Sequence, residues 1–394
     1  MTPGVRMRGV TLIEVMVSLA VSAFISVIVV SVMSLAETSK RRTIAGSDLS
    51  QVSAYVQSTL DRSLRSAGSG FTQAAAYAFG CQLHAAKTGQ QVLPRLSGSP
   101  LPAPFASVST GTTGVFRLAP VVIARGQTTP GVSGQSSDVL VIMAGQSGQS
   151  ETAAGFAADA QTGTLLLSNA VGLNPQDLLL VTDRQPIASG TAPCLVEQVA
   201  STFNAATAGG TVPLAGTYAT ANVGTTAVLT NYSIVSQVLA LGNVANGNPP
   251  TLQLVGVGDS NTLYTYDLLQ TTGSPLQPVA DGVFELHALY GIDTDGDQRI
   301  NQWVTPTGTY AIASLMDGST TASARLRTIV ALRLGLLLRS TLREGSAVAP
   351  TSLKLFADLG SSLTFTRTLS TAEQRYRYRT LESTIPLRNL LNPP

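Results

Sequence analysis

The chain predicts an α+β fold in which one long N-terminal helix, apolar in its first half and amphipathic in its second, packs on a large β-rich head. Three observations carry this expectation. Residues 15–36 form an uncharged, strongly apolar run of 22 residues. No proline interrupts residues 10–65. From Gly68 onward the pattern changes to short apolar runs between Gly, Ser, Asn and Pro clusters. The composition sets the outer bounds. The 394 residues carry 24 Lys and Arg against 22 Asp and Glu, and 44% hydrophobic residues, too apolar for a disordered chain. With 36 Gly and 20 Pro it is no helical bundle. Two cysteines and two histidines are too few for a cysteine-rich zinc module or a multi-imidazole centre.

The first helix spans a bilayer by length alone. At a rise of 1.5 Å per residue, 22 residues cover about 33 Å, against a hydrocarbon core of about 30 Å. Arg6 and Arg8 precede the run, so the positive-inside rule keeps the N-terminus cytoplasmic and sends the rest outward. Lys40, Arg41 and Arg42 follow it and reduce the asymmetry. Glu14 stands out, because a carboxylate in a spanning helix costs a few kcal/mol on insertion scales (about 2.5–3.5 at the helix centre) and is normally paired and functional. A helix N-terminus offers it a positive end, and a cut before Val10 would add a free α-amine. Two other readings compete: Ser34-Leu35-Ala36 has the form of a signal-peptidase site, and the segment could be a plain signal anchor.

Gly9 followed by Val10-Thr11-Leu12-Ile13-Glu14-Val15-Met16-Val17 resembles the class III signal of type IV pilins and pseudopilins. The resemblance implies a leader over 1–9, scission after Gly9 by a prepilin peptidase, N-methylation of Val10 and pairing of Glu14 with the N-terminal amine of a neighbouring subunit. The usual first mature residue of that family is Phe, so Val10 is a departure. It further implies a pilin-like layout: a transmembrane helix over 10–36, its amphipathic continuation over 37–67, and a periplasmic head over 68–394, in one lobe or two. Apolar positions Ala45, Leu49, Val52, Val56, Leu60 and Leu64 recur at steps of three and four, which gives the continuation one apolar face. Gly68 and Gly70 supply its stop.

In the head, strands are expected at 139–143, 165–167, 178–182, 228–229, 252–255, 329–338 and 375–380. Loops are expected at 126–137, 145–163 and 205–226, where Gly, Ala, Ser and Thr dominate. Three passages are similar to the PilW family of large minor pilins. These are 177–183 leading to Cys194, 289–297 followed by Trp303, and the C-terminal 376–379 with 385–389. Membership implies a minor pilin of the type IV pilus that acts in assembly or initiation near the filament tip. Its partners would be other minor pilins, the major pilin, the inner-membrane assembly machinery and a tip adhesin. A type II secretion pseudopilin, or a head that is itself the adhesin, are the alternatives.

Cys81 and Cys194 form an even pair in a chain expected to face an oxidising compartment, which favours a disulfide over two buried thiols. The run from Asp293 places acidic side chains at alternating positions, a pattern that can surround a hard cation such as Ca²⁺. On the EF-hand template Asp293, Asp295 and Asp297 take positions 1, 3 and 5, the Arg299 carbonyl takes 7 and Asn301 takes 9. Val304 stands where the bidentate Glu belongs and Gln298 where Gly belongs, so the run is a half-site or a solvated acidic turn. The segment 325–394 carries 11 basic residues against 4 acidic ones. Solvated arginines, or arginines paired with the acidic segment 68–289, account for this better than nucleic-acid binding. No G-x-S-x-G, H-E-x-x-H or P-loop occurs, and neither His84 nor His287 has a nucleophile context, so no enzymatic activity is expected.

Overall fold

The computed structural model describes residues 11–112, 114–128, 136–146, 153–184, 193–270 and 275–391. A single α-helix runs over Leu12–Ser66, 55 residues and about 80 Å long. Through Ile44 its described side chains are exposed. From Ala45 on, one face turns inward: Ala45, Leu49, Val56, Leu60 and Leu64 are buried, and Val52 is half-buried against the same cluster. Each fully buried Leu or Val is worth about 1.5–3 kcal/mol, so this stripe fastens the helix to the head.

Two devices end the helix. Gly68 adopts φ +84°, a left-handed turn that a side chain resists, and its N–H donates to the Met143 carbonyl. The Asn389 amide reaches back from the C-terminus to the carbonyls of Arg65, Ser66 and Ala67 at 3.4, 3.3 and 3.0 Å. These carbonyls have no intrahelical donor of their own. The end of the chain thus closes the helix that begins it.

The head holds three main sheets. The six-stranded sheet runs in spatial order Gln90–Leu93, Gln82–Lys87, Pro193–Gln198, Asp177–Asp183, Ser236–Asn243, Ala154–Gly155. Its Gln82–Lys87 and Pro193–Gln198 strands pair in parallel, and the other pairs are antiparallel. The five-stranded sheet is antiparallel, ordered Leu276–Asp281, Thr262–Asp267, Thr251–Gly258, Ser137–Ala144, Val121–Thr128. The four-stranded sheet, also antiparallel, is ordered Gln302–Val304, Val283–Ile292, Ile329–Arg339, Tyr378–Pro386. The helix rests on its edge strand Tyr378–Pro386 and on the edge strand Leu276–Asp281 of the five-stranded sheet. Arg379 donates from the former to the Ser50 hydroxyl at 2.9 Å.

Side chains, not a ladder, join the five- and four-stranded sheets. The Ser137 hydroxyl accepts from Leu286 N at 2.9 Å and donates to Leu286 O at 3.1 Å. The Asp138 carboxylate accepts from Gly126 N and Ala288 N at 2.9 and 3.0 Å. Both side chains thereby satisfy backbone groups on the Val283–Ile292 strand that no neighbouring strand reaches. One large apolar cluster fills the space among the helix, these two sheets and one face of the six-stranded sheet. A second lies on the other face of the six-stranded sheet, and a third between the four-stranded sheet and the hairpin Ser352–Leu355/Phe365–Thr368.

Several local expectations need correction. The strand expected at 375–380 begins only at Tyr378, because Glu373–Arg375 form a 3₁₀ turn. There Glu373 accepts from Ser370 N and Arg367 Nη2, which holds the chain off the sheet. The expected strand at 228–229 ends at Val228, with Leu229 opening a 3₁₀ turn. The segment 205–226 is not a plain loop: it holds a short helix Ala205–Ala208, capped by Asn204, and the strands Thr211–Pro213 and Asn222–Val223. Much of the expected loops 126–137 and 145–163 lies outside the described residues. Trp303 packs over Gly291, where an added Cβ would approach the indole to 3.0 Å.

Candidate functional site

The site built by the N-terminal helix is a bare apolar rod with one acid at its start. Thr11 caps the helix: its hydroxyl accepts from Glu14 N at 3.4 Å, and Glu14 is the acidic residue of the first turn. Thr11 and Glu14 have the spacing of a capping box. The helix N-terminus is itself a positive partner for Glu14. Gly9 and Val10, the expected cleavage and N-methylation positions, lie outside the described residues.

Leu12, Ile13, Met16, Leu19, Phe24 and Val30 are each well over half exposed, as expected of residues that meet lipid. The serines among them keep their hydroxyls internal. Ser18, Ser22, Ser26 and Ser31 donate to the carbonyls of Val15, Ser18, Ser22 and Val27 at 2.7–2.9 Å. Such back-bonds remove the cost of placing a hydroxyl in hydrocarbon. The helix is long and apolar enough to cross a membrane. At its outer end the Glu37–Arg41 pair at 2.6 Å marks the return of charge.

Cys81 and Cys194 are bonded, with their Cα atoms 5.7 Å apart and a sequence separation of 113. The bond sits at the parallel pairing of Gln82–Lys87 with Pro193–Gln198 and faces the principal core.

Asp293, Asp295 and Asp297 come together, each offering a carboxylate oxygen within 4.8 Å of the others. Asp293 organises the loop by accepting from Asp295 N and Gly296 N through Oδ1 and from Gln298 N through Oδ2. Burial raises its pKa, but the Gly296 and Gln298 donors outweigh that and hold it below the usual carboxylate range. Asn301 donates to Asp295 Oδ2 at 3.1 Å, and its Oδ1 accepts from Thr294 N at 2.6 Å. Arg299 lies 4.0 Å from Asp297. The donor set is chemically suited to a hard cation, although Asn301 Oδ1 already serves the backbone.

Each of the four acids of the basic C-terminal segment meets one of its arginines. Arg333 meets Asp358 and Glu382, Arg377 meets Glu344, and Arg367 meets Glu373. Among the described residues only Arg367, through Glu285, makes an ion pair with an acid of the segment 68–289. The expected pairing with the acidic portion is thus confined to Arg367, while Arg333 and Arg377 pair with acids of their own segment. No hydroxyl or thiol is hydrogen-bonded to either imidazole among the described residues. His84 is buried, and burial followed by the Arg117 charge lowers it to about 4. His287 Nε2 lies 3.1 Å from Glu285 Oε2.

Two family models match the chain: the type IV pilus-assembly protein W family over residues 242–389, and the prokaryotic N-terminal methylation motif over residues 5–30. These matches support a PilW-like type IV pilin. They support a type IV pilus minor pilin involved in pilus assembly, and the matched families are structural, not enzymatic. The first match covers the four-stranded sheet, the acidic loop and Asn389; the second covers the helix from Leu12 to Val30. No curated protein and no solved structure matches the chain.

Glu197 is a further titratable group that no local pattern singles out. It is fully buried, one oxygen accepts from Thr220 N at 3.0 Å, and burial raises it to about 8 from an ordinary 4.5. The folded head therefore keeps a proton that the unfolded chain releases. Stability from this group is complete below about pH 4.5 and is lost as pH rises through about 8, at about 1 kcal/mol per pH unit. His84 opposes it, since its lowered value makes stability fall as pH drops below about 6.5. Glu197→Gln should therefore raise the melting temperature more at pH 8 than at pH 6.5, when the full chain in detergent is compared with wild type by thermal unfolding. An equal shift at both values would contradict a protonated Glu197.

Proposed function

We propose that this minor pilin initiates or caps the filament, with its head in the periplasm before assembly and near the tip afterwards. The observation that supports this is the division of the helix, whose inner half is bare and whose outer half is bound to a head of three sheets. A bare apolar rod offers neighbouring pilins a full packing surface. A head of more than 300 residues is harder to fit into a tightly packed shaft than at an end.

In this reading the leader is cut after Gly9, Val10 becomes the N-methylated first residue, and Glu14 pairs with the N-terminal amine of an adjacent protomer. Removal of water strengthens that attraction and offsets the cost of an acid in lipid. Other minor pilins, the major pilin, the prepilin peptidase and the inner-membrane assembly machinery are the partners it requires. Glu14→Ala should leave the protein in the membrane fraction at normal abundance while removing it from sheared filaments, measured by immunoblot of the two fractions. Wild-type incorporation would contradict the role of Glu14. Deleting the gene should abolish surface piliation.

We propose also that the loop of Asp293, Asp295 and Asp297 takes Ca²⁺, supported by the convergence of three carboxylates within 4.8 Å. The Arg299 carbonyl and Asn301 would complete the set. Trp303 follows on the adjoining strand Gln302–Val304, so its fluorescence reports on the loop. Calcium should raise the melting temperature and change that fluorescence, and Asp295→Asn should remove both responses. Unchanged signals at millimolar calcium would rule out the ion.

A further inference from the structure

Where the five-stranded sheet, the four-stranded sheet and the Ser352–Leu355/Phe365–Thr368 hairpin converge, they leave a cavity of about 130 Å³. A single water needs about 10–15 Å³ of such volume, so there is room for a group of several heavy atoms. Arg125, Asp138, His287, Ser362, Thr364 and Thr366 supply its polar lining. None of its lining residues belongs to the helix, the acidic loop or the disulfide.

The packing of the head accounts for part of this lining but not all of it. Asp138 serves the backbone, as described above, and Glu285 holds Nε2 of His287. The imidazole is fixed a second time by stacking on Phe365, with ring centroids 3.7 Å apart and planes 28° from parallel. Yet His287 Nδ1 makes no hydrogen bond among the described residues, although the side chain is over nine-tenths buried. It stands 3.8 Å from Asp138 Oδ2, too far for a direct bond. One hydroxyl oxygen can sit about 2.8 Å from both atoms at once, donating to one and accepting from the other. At the rim the exposed Arg125 guanidinium has no hydrogen bond or ion pair among the described residues, and neither do the hydroxyls of Ser362 and Thr366.

We propose that this cavity binds a single sugar residue through its hydroxyls. A ligand of one charge sign would need one kind of partner. The lining instead mixes a carboxylate, a guanidinium, an imidazole and hydroxyls, which suits a ligand whose every polar group both donates and accepts. The sugar can be free or the terminal residue of a glycan.

The test uses the purified full chain in detergent micelles. Saturation-transfer difference NMR is run against glucose, galactose, mannose, fucose and N-acetylglucosamine, with sulfate as an anionic control. At least one sugar should bind saturably. Arg125→Ala and Ser362→Trp, both at exposed positions, should each weaken that binding at least tenfold at an unchanged melting temperature. Tighter binding to a glycan ending in the same sugar assigns the site to a terminal residue, and equal binding assigns it to the free sugar. Absence of binding by every sugar, binding of sulfate alone, or binding that survives both substitutions would overturn the proposal. None of these results bears on filament assembly, which Glu14→Ala tests separately.

Discussion

One continuous helix must satisfy two solvents, and the rest of the molecule is arranged around that constraint. From Leu12 to Ile44 its side chains are exposed wherever they are described, and its hydroxyls are folded back onto its own carbonyls. From Ala45 to Leu64 the same helix gives one face to the core. A bilayer needs apolar residues all round, whereas a globular head needs only a stripe. The change between these two patterns sets where the head can begin.

The head keeps its grip on the helix through edges and ends. Two sheets present edge strands to it, which covers backbone that would otherwise be free to pair with another chain. Asn389 closes the helix C-terminus across more than 300 residues of sequence. Ser137 and Asp138 stitch two sheets together through backbone groups, and Arg333, Arg367 and Arg377 of the C-terminal segment find acids there.

How much of this could be read from sequence depended on range. The helix was legible because Ala45, Leu49, Val56, Leu60 and Leu64 repeat with a period that survives any tertiary context. Runs such as Ser137–Ala144 and Ile329–Arg339 were legible because they are long, branched and apolar. The 3₁₀ turn at Glu373–Arg375 was hidden, since it rests on side-chain bonds that Glu373 accepts from Arg367 Nη2 and Ser370 N, which no hydrophobic pattern reports. In 205–226, weakly patterned residues become strands only because Thr164–Leu166 and Ala227–Val228 lie beside them. Of the functional features, Glu14 and the acidic loop announce themselves locally. The His287 cavity and the buried Glu197 do not, because each exists only once distant strands have met.

The central claim is that Glu14 is tolerated in lipid because proteolysis creates an amine to meet it. Mass analysis of the N-terminal peptide from protein purified out of native membranes tests this most directly. The account predicts a peptide that begins at Val10 and carries one N-methyl group. A peptide that retains residues 1–9, or one that begins at Glu37, would contradict it.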